Sequence, residues 1–282
     1  MTSYPRLAFK VSRFRFWIYT AGTYVVGYAL GASELNDFLD PWYYVYLFYF
    51  FFPANLLIYG INDYWDEETD RLNPKKGGKE VRVDREQRSM LLRMLYLVAG
   101  FSLLLLLFQD WTERALFGLF LFLSYFYSAP PLRFKGVPIV DSASNFLYVM
   151  PGIFAYYLAS GELPSFWLVL GGFAHVFAMH LFSAVPDIEY DRGAGVRTGA
   201  VLLGERWSLV VCLGWWSVLA AIAVYLSGVH PLSFLALIYP FLPLALLLRR
   251  SLDIRRVYWY LPFINTALGG LLWTALVWSI LS

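Results

Sequence analysis

Long apolar runs dominate this chain and limit what it can fold into. Nine are visible, at 14–32, 43–61, 89–108, 114–128, 138–159, 164–184, 208–227, 231–248 and 259–280, the fourth being the shortest. A helix needs about 20 apolar residues to cross the hydrocarbon core of a bilayer. In lipid every backbone polar group must be bonded internally, and none of the runs alternates as a barrel strand does. A soluble domain carries roughly 25% charged residues; here the figure is 15%, with 59% hydrophobic residues and a mean hydropathy of +0.55. These features predict an all-α, polytopic membrane protein: a nine-transmembrane-helix bundle, each run one continuous helix, in a single domain over 1–282. The first run is long, follows a basic tail and lacks a cleavage pattern, so it reads as a span rather than a signal peptide. The single Cys212 excludes an internal disulfide or a cysteine metal cluster and reads as a small packing residue.

Basic residues orient membrane chains, because they stay on the cytoplasmic side. In the nine-span arrangement all of the 22 Lys and Arg except Arg114 fall on one side. They lie in the N-terminal tail, in the second–third connection with the helix start after it, and in the fourth–fifth, sixth–seventh and eighth–ninth connections. Opposite-side connections such as ASELNDFLD at 32–40 are acidic or nearly neutral. The expectation is therefore a cytoplasmic N-terminus in the cell membrane. Nothing in the chain points to nucleic acid.

The second run ends in NDYWDEETD, residues 62–70. A helix C-terminus already carries partial negative charge, so Asp63, Asp66, Glu67, Glu68 and Asp70 there call for a compensating cation. Asp63, Asp66 and Asp70 stand at i, i+3 and i+7, which places them along one helical face. Oxygen donors on one stripe suit a hard divalent ion, Mg²⁺ above all. The sixth run ends comparably, in HLFSAVPDIEYDRGAGVRTG, with Asp187 and Asp191 at i and i+4. Each acidic cluster is followed by a basic loop, RLNPKKGGK at 71–79 and RGAGVR at 192–197. In this topology both lie at cytoplasmic helix ends, as two halves of one site.

A diphosphate binds acids and bases at once: carboxylates hold Mg²⁺, which holds phosphate oxygens, while Lys or Arg neutralises the rest. Two Mg²⁺ ions bridging five aspartates and one diphosphate is the expected stoichiometry. Stabilising a departing diphosphate leaves a carbocation, which needs a dry pocket with aromatic faces. Aromatic residues make up 20% of the chain and include SYFYS at 124–128.

NDYWDEETD resembles the N-D-x-x-D-x-x-x-D signature of the UbiA superfamily of intramembrane prenyltransferases, and DIEYD resembles its second D-x-x-x-D motif. YSAPPLRFK at 127–135 is similar to the family's tyrosine-and-basic segment after the fourth helix. The resemblance covers about residues 10–280. It implies that Asn62, Asp63, Asp66, Asp70, Asp187 and Asp191 form the Mg²⁺–diphosphate site. It also implies that Lys75, Arg133, Lys135 and Arg197 face the diphosphate and that Tyr127 lies near the reacting allylic carbon. The strings LNPKKGGKEVR, SAPPLRFKGVPIVDSASNFLYVMPG and FSAVPDIEYDRGAGVRTGAVLLG are similar to the family's carotenoid branch, the lycopene elongases that lead to C50 carotenoids. That branch implies dimethylallyl diphosphate as donor and a lycopene end group as acceptor.

Other readings compete. An aromatic acceptor, a quinone precursor or tetrapyrrole-type ring, keeps the same chemistry. A divalent cation transporter also uses acidic rings, but it needs polar groups at mid-membrane, where these runs are apolar. A head-group transferase would hold its aspartates in one compact run. Acids at a membrane boundary are often merely solvated, and cytoplasmic Lys and Arg follow from topology alone, as for Arg249, Arg250, Arg255 and Arg256. Asp141 and Asn145 stand at i and i+4 at a helix start and fit either a pocket or an interface. His180 reads as a hydrogen-bonded packing residue or a site residue. Gly27 and Gly31 form a G-x-x-x-G that predicts close helix packing.

Overall fold

The computed structural model describes residues 3–66, 85–249 and 251–281. Asp70 and Lys75, with Glu67, Glu68 and the rest of the basic loop at 71–79, lie outside the described residues. The described residues contain helices and no strand. The α-helices are α1 (Tyr4–Val11), α2 (Thr23–Gly31), α3 (Pro41–Phe51), α4 (Pro53–Trp65), α5 (Arg85–Leu106), α6 (Trp111–Phe126), α7 (Val140–Ala143), α8 (Met150–Ser160), α9 (Phe166–Ala184), α10 (Ile188–Gly193), α11 (Gly199–Leu226), α12 (Ile238–Leu248) and α13 (Ile254–Leu281).

Among the described residues, six helical stretches are long and apolar enough to cross a membrane: Pro41–Trp65, Gln87–Leu106, Phe166–Gly193, Gly199–Leu226, Pro231–Leu248 and Ile254–Leu281. The other three apolar runs are helical too, but shorter or broken. The expectation of one continuous helix per run needs correcting. The first run passes through a π-helical turn, Ile18–Gly22, before α2, and the Thr20 and Thr23 hydroxyls bond back to main-chain carbonyls there. The second breaks at Pro53, and the fifth passes through a 3₁₀ turn, Ser144–Tyr148, before α8. The eighth opens in 3₁₀ form at Pro231. Proline lacks the N–H that would continue a helix through positions 53 and 231.

The chain divides into two compact units. The first comprises residues 1–133, 150–162 and 276–282. Its core is aromatic: Tyr24, Tyr28, Tyr46, Tyr49, Phe50, Phe117, Phe120 and Phe154 are fully buried, and many of the rings meet edge-on or tilted. Buried tyrosines need hydrogen-bond partners, and the core supplies them. Tyr24 donates to the Tyr43 carbonyl at 2.9 Å, Tyr49 pairs with Ser102 at 2.7 Å, and Tyr46 accepts from Gln109 at 2.9 Å. Helices α2 and α8 touch backbone to backbone. A Cβ added at Gly27 would overlap Gly152, and one at Gly31 would sit 2.6 Å from the Tyr156 carbonyl oxygen. The G-x-x-x-G expectation thus holds.

The break at Pro53 decides where α4 points. Asn55 is fully buried, and its amide donates to Thr20 Oγ1 at 2.7 Å and to the carbonyls of Phe50 and Phe51 at 3.1 Å each. Thr20 itself donates to the Phe50 carbonyl at 2.6 Å. These side chains satisfy carbonyls that the broken ladder releases, which an apolar surrounding otherwise penalises.

The second unit comprises residues 134–149 and 163–275. Helix α11 packs against α9 and α12. Trp216 is fully buried, with ring centroids 5.4 Å from Phe182 and 5.7 Å from Tyr239. Cys212 is buried in the α9–α11 seam, where its thiol donates to the Ala178 carbonyl at 3.4 Å. That is the packing role read from the sequence.

Candidate active site

In the first unit, the site begins at the C-terminal end of α4. Asp63 lies in the last turn and is buried; Asp66 caps the helix, with its N–H on the Asn62 carbonyl at 3.0 Å. Two carboxylates at the negative end of a helix dipole need cations. Each has one. Arg13 reaches Asp63 Oδ1 at 2.9 Å, with the side chains only 16% and 3% exposed. Arg133 reaches Asp66 Oδ1 at 3.0 Å, with exposures of 45% and 9%. The Arg13 guanidinium also lies 4.7 Å from the Tyr59 ring centroid, within cation–π reach. Both arginines have positive φ, 53° and 39°. That backbone is costly for a residue with a side chain and persists where surrounding contacts over-determine it.

The YSAPPLRFK segment meets the same helix end. Ser128, next to the half-buried Tyr127, donates to Asn62 Oδ1 at 3.0 Å, and Arg133 donates to Asp66 Oδ1 at 3.0 Å. Two of the motifs singled out in the sequence therefore come together, through Ser128 on Asn62 and Arg133 on Asp66. Arg13 is the member that sequence reasoning missed. Its coupling to Asp63 marks it out within the basic N-terminal tail.

In the second unit, α9 continues through a 3₁₀ turn, Val185–Asp187, into α10. Asp187 ends the turn and Asp191 lies in α10; both are half-buried. The loop after them turns at Gly195, whose φ is 70°, and is tied back by a 2.8 Å bond from the Val196 N–H to the Asp191 carbonyl. It presents an exposed Arg197, while Lys135 stands half-buried in the turn Phe134–Gly136. Among the described residues, Asp66 stands just past the end of α4 and Asp187 sits in a 3₁₀ step, so neither lies within a straight α-helical stripe. Asp141 is fully buried and accepts a 2.8 Å bond from the Gly199 N–H, so it is not an interfacial acid. His180 Nε2 stands 3.9 Å from Asp141 Oδ2.

The donor set is oxygen throughout, carboxylates with an asparagine amide, and fits a hard cation such as Mg²⁺ rather than a soft one. Among the described residues no three His, Cys, Asp or Glu side chains stand together as a metal-binding group.

Apolar helices of membrane-spanning length, one of them ending in an aspartate–arginine cluster, define the class: a multi-pass membrane protein. The model of the UbiA prenyltransferase family matches residues 20–258, and the chain belongs to that family: it is a prenyltransferase. It is 41% identical to the lycopene elongase/hydratase of Haloferax volcanii, over 96% of this chain and 89% of that one. It is 38% identical to the lycopene elongase/hydratase of Halobacterium salinarum, over 98% of each. Its fold is similar to that of a UbiA homolog from Archaeoglobus fulgidus bound to GPP and Mg²⁺. The TM-score is 0.74 at 18% identity, covering 96% of this chain and 99% of that chain. The same homolog bound to DMAPP and Mg²⁺ superposes with a TM-score of 0.70 at 18% identity, over 96% and 98% of the two chains.

Proposed function

We propose that this enzyme transfers a dimethylallyl group from its diphosphate to an end of lycopene, in C50 carotenoid synthesis. The observation that carries the reading is the pairing of Asp63 with Arg13 and Asp66 with Arg133 at one helix end. Near-full-length relatives named lycopene elongase/hydratase support the acceptor. The chain acts as one domain over 1–282, with nine spans, a cytoplasmic N-terminus and a cytoplasm-facing site in the cell membrane. The charge sorting of Lys and Arg supports that orientation.

Asp63, Asp66, Asp70, Asp187 and Asp191 would hold two Mg²⁺ ions, with Asn62 beside them. When bound, Mg²⁺ supplies Lewis-acid stabilisation of the leaving diphosphate. Lys75, Arg133, Lys135 and Arg197 neutralise the remaining phosphate charge. Arg13 and Arg133, paired with Asp63 and Asp66, lie at hand to turn toward the anion. The C1–O bond of the donor breaks with its electron pair leaving on diphosphate. The allyl cation then bonds to a terminal alkene of the acceptor, and Tyr127 presents its ring to the positive charge. The resulting tertiary cation loses a proton or takes up water and then loses one.

Membranes containing the protein, given labelled dimethylallyl diphosphate and lycopene, should yield an elongated carotenoid. The product should vanish with EDTA and with Asp63→Ala. Labelling of an aromatic ring with lycopene untouched would replace the acceptor and keep the chemistry. Metal flux without consumption of diphosphate would overturn the reading.

A further inference from the structure

The second unit contains a buried carboxylate to which the chemistry above gives no task. Asp141 is fully buried. Taking a carboxylate out of water is costly unless hydrogen bonds or charges compensate. The carboxylate is compensated from two directions, both at Oδ2, while Oδ1 is buried without a hydrogen-bond partner among the described residues. Oδ2 accepts the Gly199 N–H at 2.8 Å, at the first turn of α11, where the helix dipole favours an anion. His180 on α9 places Nε2 3.9 Å from the same oxygen. On its own element, the Asp141 carbonyl accepts from the Asn145 amide at 2.7 Å and from Ser144 Oγ at 3.1 Å.

The first turn of α11 is capped twice, with Asp141 reaching the Gly199 N–H from another element. Thr198 is the local cap, its Oγ1 accepting from the Val201 N–H at 3.2 Å. The approach of Asp141 is close: a Cβ at position 199 would lie 3.0 Å from Asp141 Oδ1 and 3.2 Å from the Ile139 nitrogen. Ile139, which delivers Asp141, has φ of 73°, a conformation that β-branched residues avoid. Such backbone is retained only where surrounding contacts over-determine it.

The three joined segments each carry a residue of the proposed site. Asp141 follows the turn bearing Lys135; Gly199 follows the loop bearing Arg197; and His180 lies on the helix that leads into Asp187. We infer that Asp141 is a positioning residue that holds the Lys135 turn and the Arg197 loop in register with the second aspartate motif. It acts through the Gly199 N–H and without touching substrate. This rests on the diphosphate reading above and extends it to how one half of the site is held.

The test is binding of inorganic pyrophosphate with Mg²⁺ to the purified full chain in detergent, alongside the KM for dimethylallyl diphosphate, kcat and thermal unfolding. Outer-sphere partners of metal and anion sites typically alter affinity by 10–100-fold. Asp141→Ala should therefore weaken pyrophosphate binding and raise the donor KM by roughly tenfold or more, with a smaller change in kcat. Asp141→Asn, whose amide oxygen can accept the same N–H, should restore both. A merely structural role would shift the unfolding midpoint and leave the KM of the folded fraction unchanged; that result overturns the proposal, as does an Asn variant impaired as deeply as the Ala one. If Asp141→Ala does not fold, the Asn variant decides: wild-type affinity upholds the proposal and lost affinity overturns it. Failure of the wild-type protein itself to bind Mg²⁺ with pyrophosphate would remove the diphosphate reading and this proposal with it.

Discussion

Asp63 is nearly solvent-free and leans on Arg13, itself largely covered. A buried pair broken from one side leaves the other charge uncompensated, a loss of about 3 kcal/mol in comparable cases. Arg13→Ala should lower the stability of the ligand-free protein by about that amount. A divalent cation can replace the missing charge beside Asp63, so Mg²⁺ should recover more stability in the variant than in the wild type. Thermal unfolding in detergent with Mg²⁺ and with EDTA measures both; equal Mg²⁺ responses would separate Arg13 from the metal site. The aspartates were legible in the sequence because acids at a helix C-terminus oppose the dipole and stand out. Arg13 was not, because a basic tail is what topology alone calls for, and the tertiary pairing that singles it out joins residues distant in sequence. Asp141 was visible but ambiguous, since one acid near a helix start fits an interface or a pocket equally well.

Helix α4 carries Asn62 and Asp63, and its direction is set at the break before it. Asn55 and Thr20 bond the carbonyls released around Pro53. Replacing Asn55 with Leu leaves the Phe51 carbonyl without that donor in an apolar setting, which costs about 1–3 kcal/mol. Asn55→Leu should speed amide hydrogen exchange through 50–58 and lower prenyl transfer, because the aspartates ride on α4. Normal exchange there would show that the break is held by packing alone. A hydrophobic profile detects that 43–61 is apolar but cannot detect a break inside it. The proline signals a break; of the polar partners that heal it, Asn55 lies in the same run and Thr20 comes from the first. The glycine pair Gly27 and Gly31 was legible, because small residues at that spacing leave a groove that a neighbouring backbone can enter.

For the whole molecule, topology is the prediction to test. Cys212 is buried and alone, so Cys212→Ser yields a cysteine-free background whose hydroxyl can make the same bond to the Ala178 carbonyl. On it, Asn36→Cys and Ser251→Cys introduce thiols at exposed positions. With a cytoplasmic N-terminus, a membrane-impermeant maleimide should label position 36 in intact cells and position 251 only after lysis. The reverse pattern would invert the orientation and place the aspartates outside.

The sequence alone determined the apolar solvent and the helical class, and its motifs carried the resemblance to the family. Those properties follow from composition, from run length against bilayer thickness, and from residue types at local spacings, all of which are linear in the chain. Tertiary structure decided that Arg13 and Arg133 answer Asp63 and Asp66, that Ser128 ties the tyrosine segment to Asn62, and that Asp141 braces Gly199. Each is a bond of about 3 Å between residues far apart in sequence. No local propensity encodes such a bond: it forms only after packing has brought the helices together, and burial then makes the paired state strongly preferred over the unpaired one.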